Sequence, residues 1–213
     1  AGVAMTTHVL VPVYSMQGHT LALARAVAEG AGDLADTEVR LRRIAEFAEL
    51  RAQMAGDETY QAVQRELDEL GTASMDDLRW AHGIVWGSPT RYGNMTAQMK
   101  QLIDSTGELW MNGEMENKVA GMFTSTASIH GGQETTILAS LPPFLHLGMI
   151  VVGVRYSQNL QLLTTEGQGG SPYGASTIAG GDGSRQPTEP EFATARSLGR
   201  RVAEVAARVK DLS

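Results

Sequence analysis

A chain of 213 residues with a formal net charge of −7 and only three lysines, Lys100, Lys118 and Lys210, carries no electrostatic footprint for nucleic acid or an anionic membrane surface. The absence of cysteine removes disulfides, thiol nucleophiles and thiolate metal sites together, and it suits a reducing compartment. With 42% hydrophobic and 19% charged residues the chain reads as ordered and globular, and a single domain spanning 1–213 is long enough to bury a sizeable core.

The N-terminus lacks the basic segment of a secretory signal, and Ala1 to Ala4 ahead of Met5 read as a cloning remnant, so a cytoplasmic protein is expected. His8 to Val13 reads as a buried strand, and from Thr20 onward Leu23, Val27 and Ala31 recur at helical spacing. Between them lies Tyr14-Ser15-Met16-Gln17-Gly18-His19-Thr20, a loop of hydroxyls, amide and glycine without a lysine or arginine. At a helix start the unpaired N–H groups and the positive end of the dipole hold an anion without a cationic side chain, so this loop is a candidate phosphate cradle. Gly30-Ala31-Gly32 marks the helix stop.

A second strand is expected at Glu38 to Leu41. Arg42 to Ser74 is charged and mostly helical in composition, with Tyr60, Val63 and Leu67 at helical spacing, and reads as a solvated insertion. Gly83 to Gly87 gives a third strand, followed by the loop Ser88 to Met95. The spacing of Met95, Met99, Leu102 and Ile103 predicts a helix over 94–105, after which Leu109-Trp110-Met111 sits in a glycine-flanked connection. The fourth strand, Val119 to Thr124, leads into Ser125-Thr126-Ala127-Ser128-Ile129-His130-Gly131-Gly132. The longest uncharged stretch, Thr135 to Val154, holds Pro142-Pro143 and His146 in its middle and is not a membrane span; its end, Met149 to Val154, is the fifth strand.

Arg155 to Pro187 is glycine-rich and too weakly apolar to offset its own ordering entropy, so it is expected to order against neighbouring subunits in a homo-oligomer. Thr188, Pro190 and Glu191 open the last helix with a capping box, and Ala195, Leu198, Val202, Val205 and Val209 form its buried stripe. Strand and helix alternating five times imply a doubly wound, five-stranded parallel sheet with helices on both faces.

In such a sheet ligands bind beyond the carboxyl ends of the strands, which brings together the loops after strands one, three and four. Those loops offer an aromatic residue, one cation, many small donors and flexible glycines, a set suited to a flat heteroaromatic ring with a phosphate on the first loop; FMN fits better than a dinucleotide. Each residue also has a plainer reading. His19 could be a solvated first-turn residue, His146 a satisfied core histidine, Trp110 simple packing and Arg91 half of a surface ion pair, while Asp182 and Arg185 are expected to brace the long loop. The five histidines never fall at metal-ligand spacing, so no metal is expected, and no Walker lysine or nucleophile elbow is present.

The strings YSMQGHT, GSPTRYGNMTAQMKQLIDSTGELW, TSTASIHGGQE and GGSPYGASTIAGGDGSRQP, in this order and spacing, resemble the WrbA family of flavodoxin-like NAD(P)H:quinone oxidoreductases across nearly the whole chain. The resemblance implies a flavodoxin-like sheet of order 2-1-3-4-5, noncovalent FMN, NADH or NADPH as donor, two-electron reduction of quinones with ping-pong hydride transfer through flavin N5, and a homotetramer with active sites near subunit junctions. It puts the FMN phosphate on Ser15, Met16, Gln17, Gly18, His19 and Thr20. Pro89, Thr90, Arg91, Tyr92 and Gly93 would border the ring and ribityl chain, and Ser125, Thr126, Ala127, Ser128, Gly131 and Gly132 its polar edge. His146 would lie near the flavin cavity, and Gln17 and Trp110 on the substrate and nucleotide side. Gln17 stands where many relatives carry a tyrosine. The rival readings are a single-electron carrier and a non-catalytic, flavin-containing interaction protein.

Overall fold

The structure, a computed structural model, describes residues 6–212, so the proposed remnant at 1–4 lies outside the described residues. Five parallel strand positions form one sheet, as the alternation implied, in the order β2-β1-β3-β4-β5 that the resemblance implied. The strands are β1 (Thr7–Val13), β2 (Thr37–Arg43), β3 (Gly83–Gly87), β4 (Val119–Thr126) and β5 (Ile150–Val151). The fifth position is shared: β5 pairs with Val119 and Ala120, and a further strand, β6 (Ala175–Ile178), pairs with Phe123 to Thr126. The expected strand over 149–154 is therefore cut to two residues. The returning chain takes its place, passing so near Gly153 that a Cβ there would lie 2.1 Å from the Pro172 carbonyl oxygen.

Side chains alternate between two cores, one on each face of the sheet. Val9, Val11 and Val13 of β1 pack under α1 (His19–Gly32) and α8 (Glu189–Val209), where Leu23, Val27, Leu198 and Val202 are fully buried. Leu10, Ile84, Trp86 and Met122 pack on the other face under α4 (Met75–Trp80), α5 (Ala97–Asp104) and α7 (Thr135–His146). Gly30 lies within α1 rather than ending it. A Cβ there would lie 2.0 Å from the Arg196 carbonyl oxygen, so this glycine sets how closely α1 and α8 cross.

Two segments are tied to the rest of the chain more closely than expected. The stretch after β2 forms α2 (Ala48–Gln53) and α3 (Glu58–Asp68), and α3 buries Tyr60, Val63, Gln64 and Leu67 instead of standing in solvent. The glycine-rich stretch forms two 3-10 turns and β6, and fastens to its own α8: Asn159 Nδ2 donates to Ser197 Oγ at 2.9 Å and Gln161 Nε2 to Thr194 Oγ1 at 2.9 Å. Polar side chains and main-chain groups supply these contacts, and β6 adds apolar burial at Ala175 and Ile178. The connection around Trp110 is a short helix, α6 (Gly107–Met111), that buries Leu109.

Candidate functional site

Beyond the carboxyl ends of β1, β3, β4 and β6 the chain leaves a cleft of about 350 Å³. Its floor is the first loop. Gly18 caps α1 with φ +92°, a left-handed conformation that glycine adopts without strain, and Ala22 N–H bonds the Gly18 carbonyl to start the helix. The Gly18 N–H turns back to Ser15 Oγ at 3.1 Å. The amides of Met16, Gln17, His19 and Thr20 have no acceptor among the described residues. His19 is 4% exposed and lines the cleft, yet its Nε2 has no partner. Open N–H groups at a helix start, with a buried and unpartnered imidazole nitrogen beside them, are an arrangement that can hold an anion.

Thr20 Oγ1 and Ser125 Oγ are 2.8 Å apart, joining the first loop to the fourth. Thr90 N–H donates to the Ser125 carbonyl at 2.9 Å, joining the third. Ser125, Thr126 and Ala127 line the cleft, as do Pro89, Thr90 and Arg91. Arg91 donates to the Thr90 carbonyl at 2.9 Å and to Met16 Sδ at 2.8 Å, and no carboxylate pairs with it among the described residues, so its cation stays open to a ligand. Tyr92 and Gly93, with φ +52° and +77°, form the tip of a tight turn closed by Arg91 and Asn94, and the Tyr92 ring is wholly exposed.

The fourth wall was not foreseen as part of the site. Ala179, Gly180, Gly181 and Gly183 face the first loop, and Ala179 N–H donates to the Thr126 carbonyl at 2.7 Å, extending the β4–β6 pairing. A Cβ on Gly183 would lie 2.8 Å from Gln17 Oε1, so the two walls meet there. The available signal was the Ala179-Gly180-Gly181-Asp182-Gly183 run, since repeated glycines let a backbone approach a ligand closely.

Comparison with known proteins agrees with this fold. The NADPH-dependent FMN reductase family matches residues 5–158. The chain belongs to that family. Among its relatives, an NAD(P)H dehydrogenase (quinone) of Solidesulfovibrio magneticus is 45% identical over 203 residues, covering 95% of this chain and 99% of the relative. Another of the same name, from Aromatoleum aromaticum, is 47% identical over 194 residues, covering 91% and 92%. A WrbA-like flavodoxin from Agrobacterium tumefaciens superposes with a TM-score of 0.65 at 25% identity, covering 96% of this chain and 99% of that one. This FMN reductase family member is thus an oxidoreductase on a flavodoxin-like fold, as the sequence motifs implied.

Within this family member two polar knots hold the cleft walls from behind. Glu191, fully buried at the start of α8, accepts from Gly169 N–H (2.8 Å), Thr177 Oγ1 (2.9 Å), Thr188 N–H (2.8 Å) and the Arg185 guanidinium (3.1 Å). Burial pushes its carboxyl up, but Arg185 and the three other donors outweigh burial and hold it below the usual range. Arg185 thus braces the glycine turn, as expected, while Asp182 is satisfied by the Ser184 N–H and hydroxyl. Under the first loop, Glu46 Oε2 accepts from Tyr14 OH (2.7 Å) and Tyr60 OH (3.0 Å), and its Oε1 from Gln98 (2.7 Å). Burial, then Glu46, pushes the Tyr60 phenol up to about 12, so it stays a donor at every physiological pH.

Several expected residues stand apart from the cleft. Ser128, Gly131 and Gly132 fold back behind it, with Thr126 Oγ1 and Gly131 N–H both bonded to the Ser128 carbonyl. His146 is exposed in the last turn of α7, which returns toward the start of β5, and Trp110 is 56% exposed on α6. Among the described residues no helix is long and apolar enough to cross a membrane, and no three His, Asp or Glu side chains converge as metal ligands.

Proposed function

We propose that this protein binds FMN noncovalently in the cleft and uses NADH or NADPH to reduce quinones by two electrons. The carrying observation is the set of open amide donors around Gly18, with the unpartnered His19 Nε2 beside them. Uncharged donors at a helix start suit a phosphate monoester, so the residues present fit the group. Ser15, Met16, Gln17, Gly18, His19 and Thr20 hold the phosphate; Pro89, Thr90, Arg91, Tyr92 and Gly93 flank the ring and ribityl chain; Ser125, Thr126 and Ala127 meet its polar edge, with Ser128, Gly131 and Gly132 shaping their loop. The glycine turn at 179–183 closes the far side.

Bound there, FMN supplies hydride chemistry at its N5, which is why the chain needs no nucleophile of its own. The chain positions, and it stabilises negative charge: fourth-loop amides and the unpaired Arg91 face the edge where charge gathers on reduction. The nicotinamide donor and the quinone use the same open side in turn, giving ping-pong kinetics, with Gln17 on that side. His146 and Trp110 reach a cleft across a junction between subunits of a homotetramer, to which the exposed Tyr156, Leu160 and Leu163 contribute apolar surface. The enzyme works in the cytoplasm.

The test is an absorbance spectrum of the purified protein, then anaerobic NADPH, then benzoquinone. Bleaching by the first and recovery with the second is the expected result. A protein that stays colourless in excess FMN defeats the proposal, and negligible turnover by a coloured protein would favour a single-electron carrier.

A further inference from the structure

Gln64 lies outside the cleft, on the buried face of α3, and is 3% exposed. Its Nε2 donates to the Ser15 main-chain oxygen at 3.2 Å. A trans peptide points its C=O and N–H to opposite sides. With the Ser15 carbonyl turned toward Gln64, the next amide, Met16 N–H, is turned toward the cleft that both residues line. The reverse orientation would set a carbonyl, with its partial negative charge, against an incoming anion. The rest of α3 is fastened to the same loop: Tyr60 joins Tyr14 on the Glu46 carboxylate, and Val63 Cγ2 lies 3.4 Å from the place of a Gly18 Cβ.

We propose that Gln64 is a positioning residue for the phosphate cradle. It fixes the Ser15–Met16 peptide with its N–H toward the ligand, and so gives the segment between β2 and α4 a share in selecting phosphorylated flavin over riboflavin. The inference rests on the FMN reading above. Gln64→Met keeps the volume and removes the donor, whereas Gln64→Glu at neutral pH also sets a negative oxygen against the carbonyl.

The test measures dissociation constants of the apoprotein for FMN and for riboflavin by fluorescence quenching, with the 31P NMR signal of bound FMN as a local readout. Gln64→Met is expected to weaken FMN about tenfold while riboflavin changes by less than about twofold, the loss of one hydrogen bond in a charged site. Gln64→Glu is expected to weaken FMN further, and both variants to move the 31P signal. Tyr60→Phe, which loosens α3 but leaves Gln64 in place, gives a smaller loss of the same selectivity and serves should the Gln64 variants not fold. Equal weakening of both flavins, or an FMN constant unchanged in folded variants, overturns the assignment. If the wild-type protein binds neither flavin, the reading of the cleft itself has failed, and this inference with it.

Discussion

The two ends of the parallel sheet are made of the same groups, strand termini and helix ends, yet they are finished in opposite ways. At the carboxyl end, main-chain donors and one imidazole nitrogen are left open. At the amino end a four-layer stack closes the surface: the Arg40 guanidinium lies 3.8 Å over Trp80, Trp80 stacks on His8 at 4.4 Å, and His8 on His82 at 4.8 Å. His8 N–H donates to His82 Nδ1 at 3.0 Å, and the Lys118 ammonium donates to the Arg79 and Ala81 carbonyls at 2.8 and 2.5 Å. Open main-chain donors and an unpartnered imidazole gathered in one cleft set the carboxyl end apart from the stacked amino end, where Thr37 Oγ1 is the unpartnered side-chain atom at a strand start among the described residues.

The contrast breaks most severely if the support of the open end is removed. Glu191→Ala leaves Arg185 and three other donors without their shared acceptor. Breaking a buried pair in this way costs about 3–5 kcal/mol, read as a lower urea midpoint with an unchanged slope. The glycine turn at 179–183 should loosen with it, so FMN affinity falls in the same variant. A loss below about 1 kcal/mol would mean that the turn is held by its main-chain pairing alone.

The closed end is tested by acid. Burial, with His8 and Lys118 adding to it, pushes the His82 imidazole down to about 4. The folded state thus prefers neutral His82, the form whose Nδ1 accepts from His8. Its contribution is fully present above the unfolded value of about 6.5 and is lost as pH falls toward 4, up to about 3 kcal/mol in all. Chemical denaturation across that window should show a slope that His82→Asn removes. An identical slope in the variant would locate the acid sensitivity elsewhere.

How much of this was legible in sequence follows the same division. The strands, the helices on both faces and the first, third and fourth loops were readable because local signals agree with the fold: short apolar runs, a glycine at a helix start, helical spacing of Leu198 and Val202. The strand order came with the family resemblance. Gln64 was invisible, because a glutamine on a charged helix looks solvated until its partner, the Ser15 carbonyl, is seen 49 residues away. Glu191 was read as a helix cap, and its further partners at Gly169, Thr177 and Arg185 come from a segment expected to order against neighbouring subunits. Long-range polar pairings leave no periodicity to read.

A milder perturbation of the open end removes single hydroxyls from the cradle. Ser15→Ala and Thr20→Ala should each weaken FMN by about tenfold to a hundredfold, since a hydrogen bond to a charged group contributes about 1.5–3 kcal/mol. Titration of the apoprotein with FMN measures this. Unchanged constants in both variants would leave the main-chain amides as the whole of the cradle.

The smallest effect is the most discriminating, because stability and function should move in opposite directions. Tyr92 has φ +52°, a left-handed conformation that is costly for a bulky residue, and its exposed ring makes no packing contact that would repay the cost. Tyr92→Asn, which tolerates that conformation, should therefore raise stability by about 0.5–1 kcal/mol. If the ring is kept at the tip of the third loop to meet the flavin or the quinone, the same variant must lose quinone turnover. A gain in stability with turnover intact would mean that the strain serves nothing at the cleft. Tyr92 would then have no part in the cleft, while Arg91 beside it still lines it.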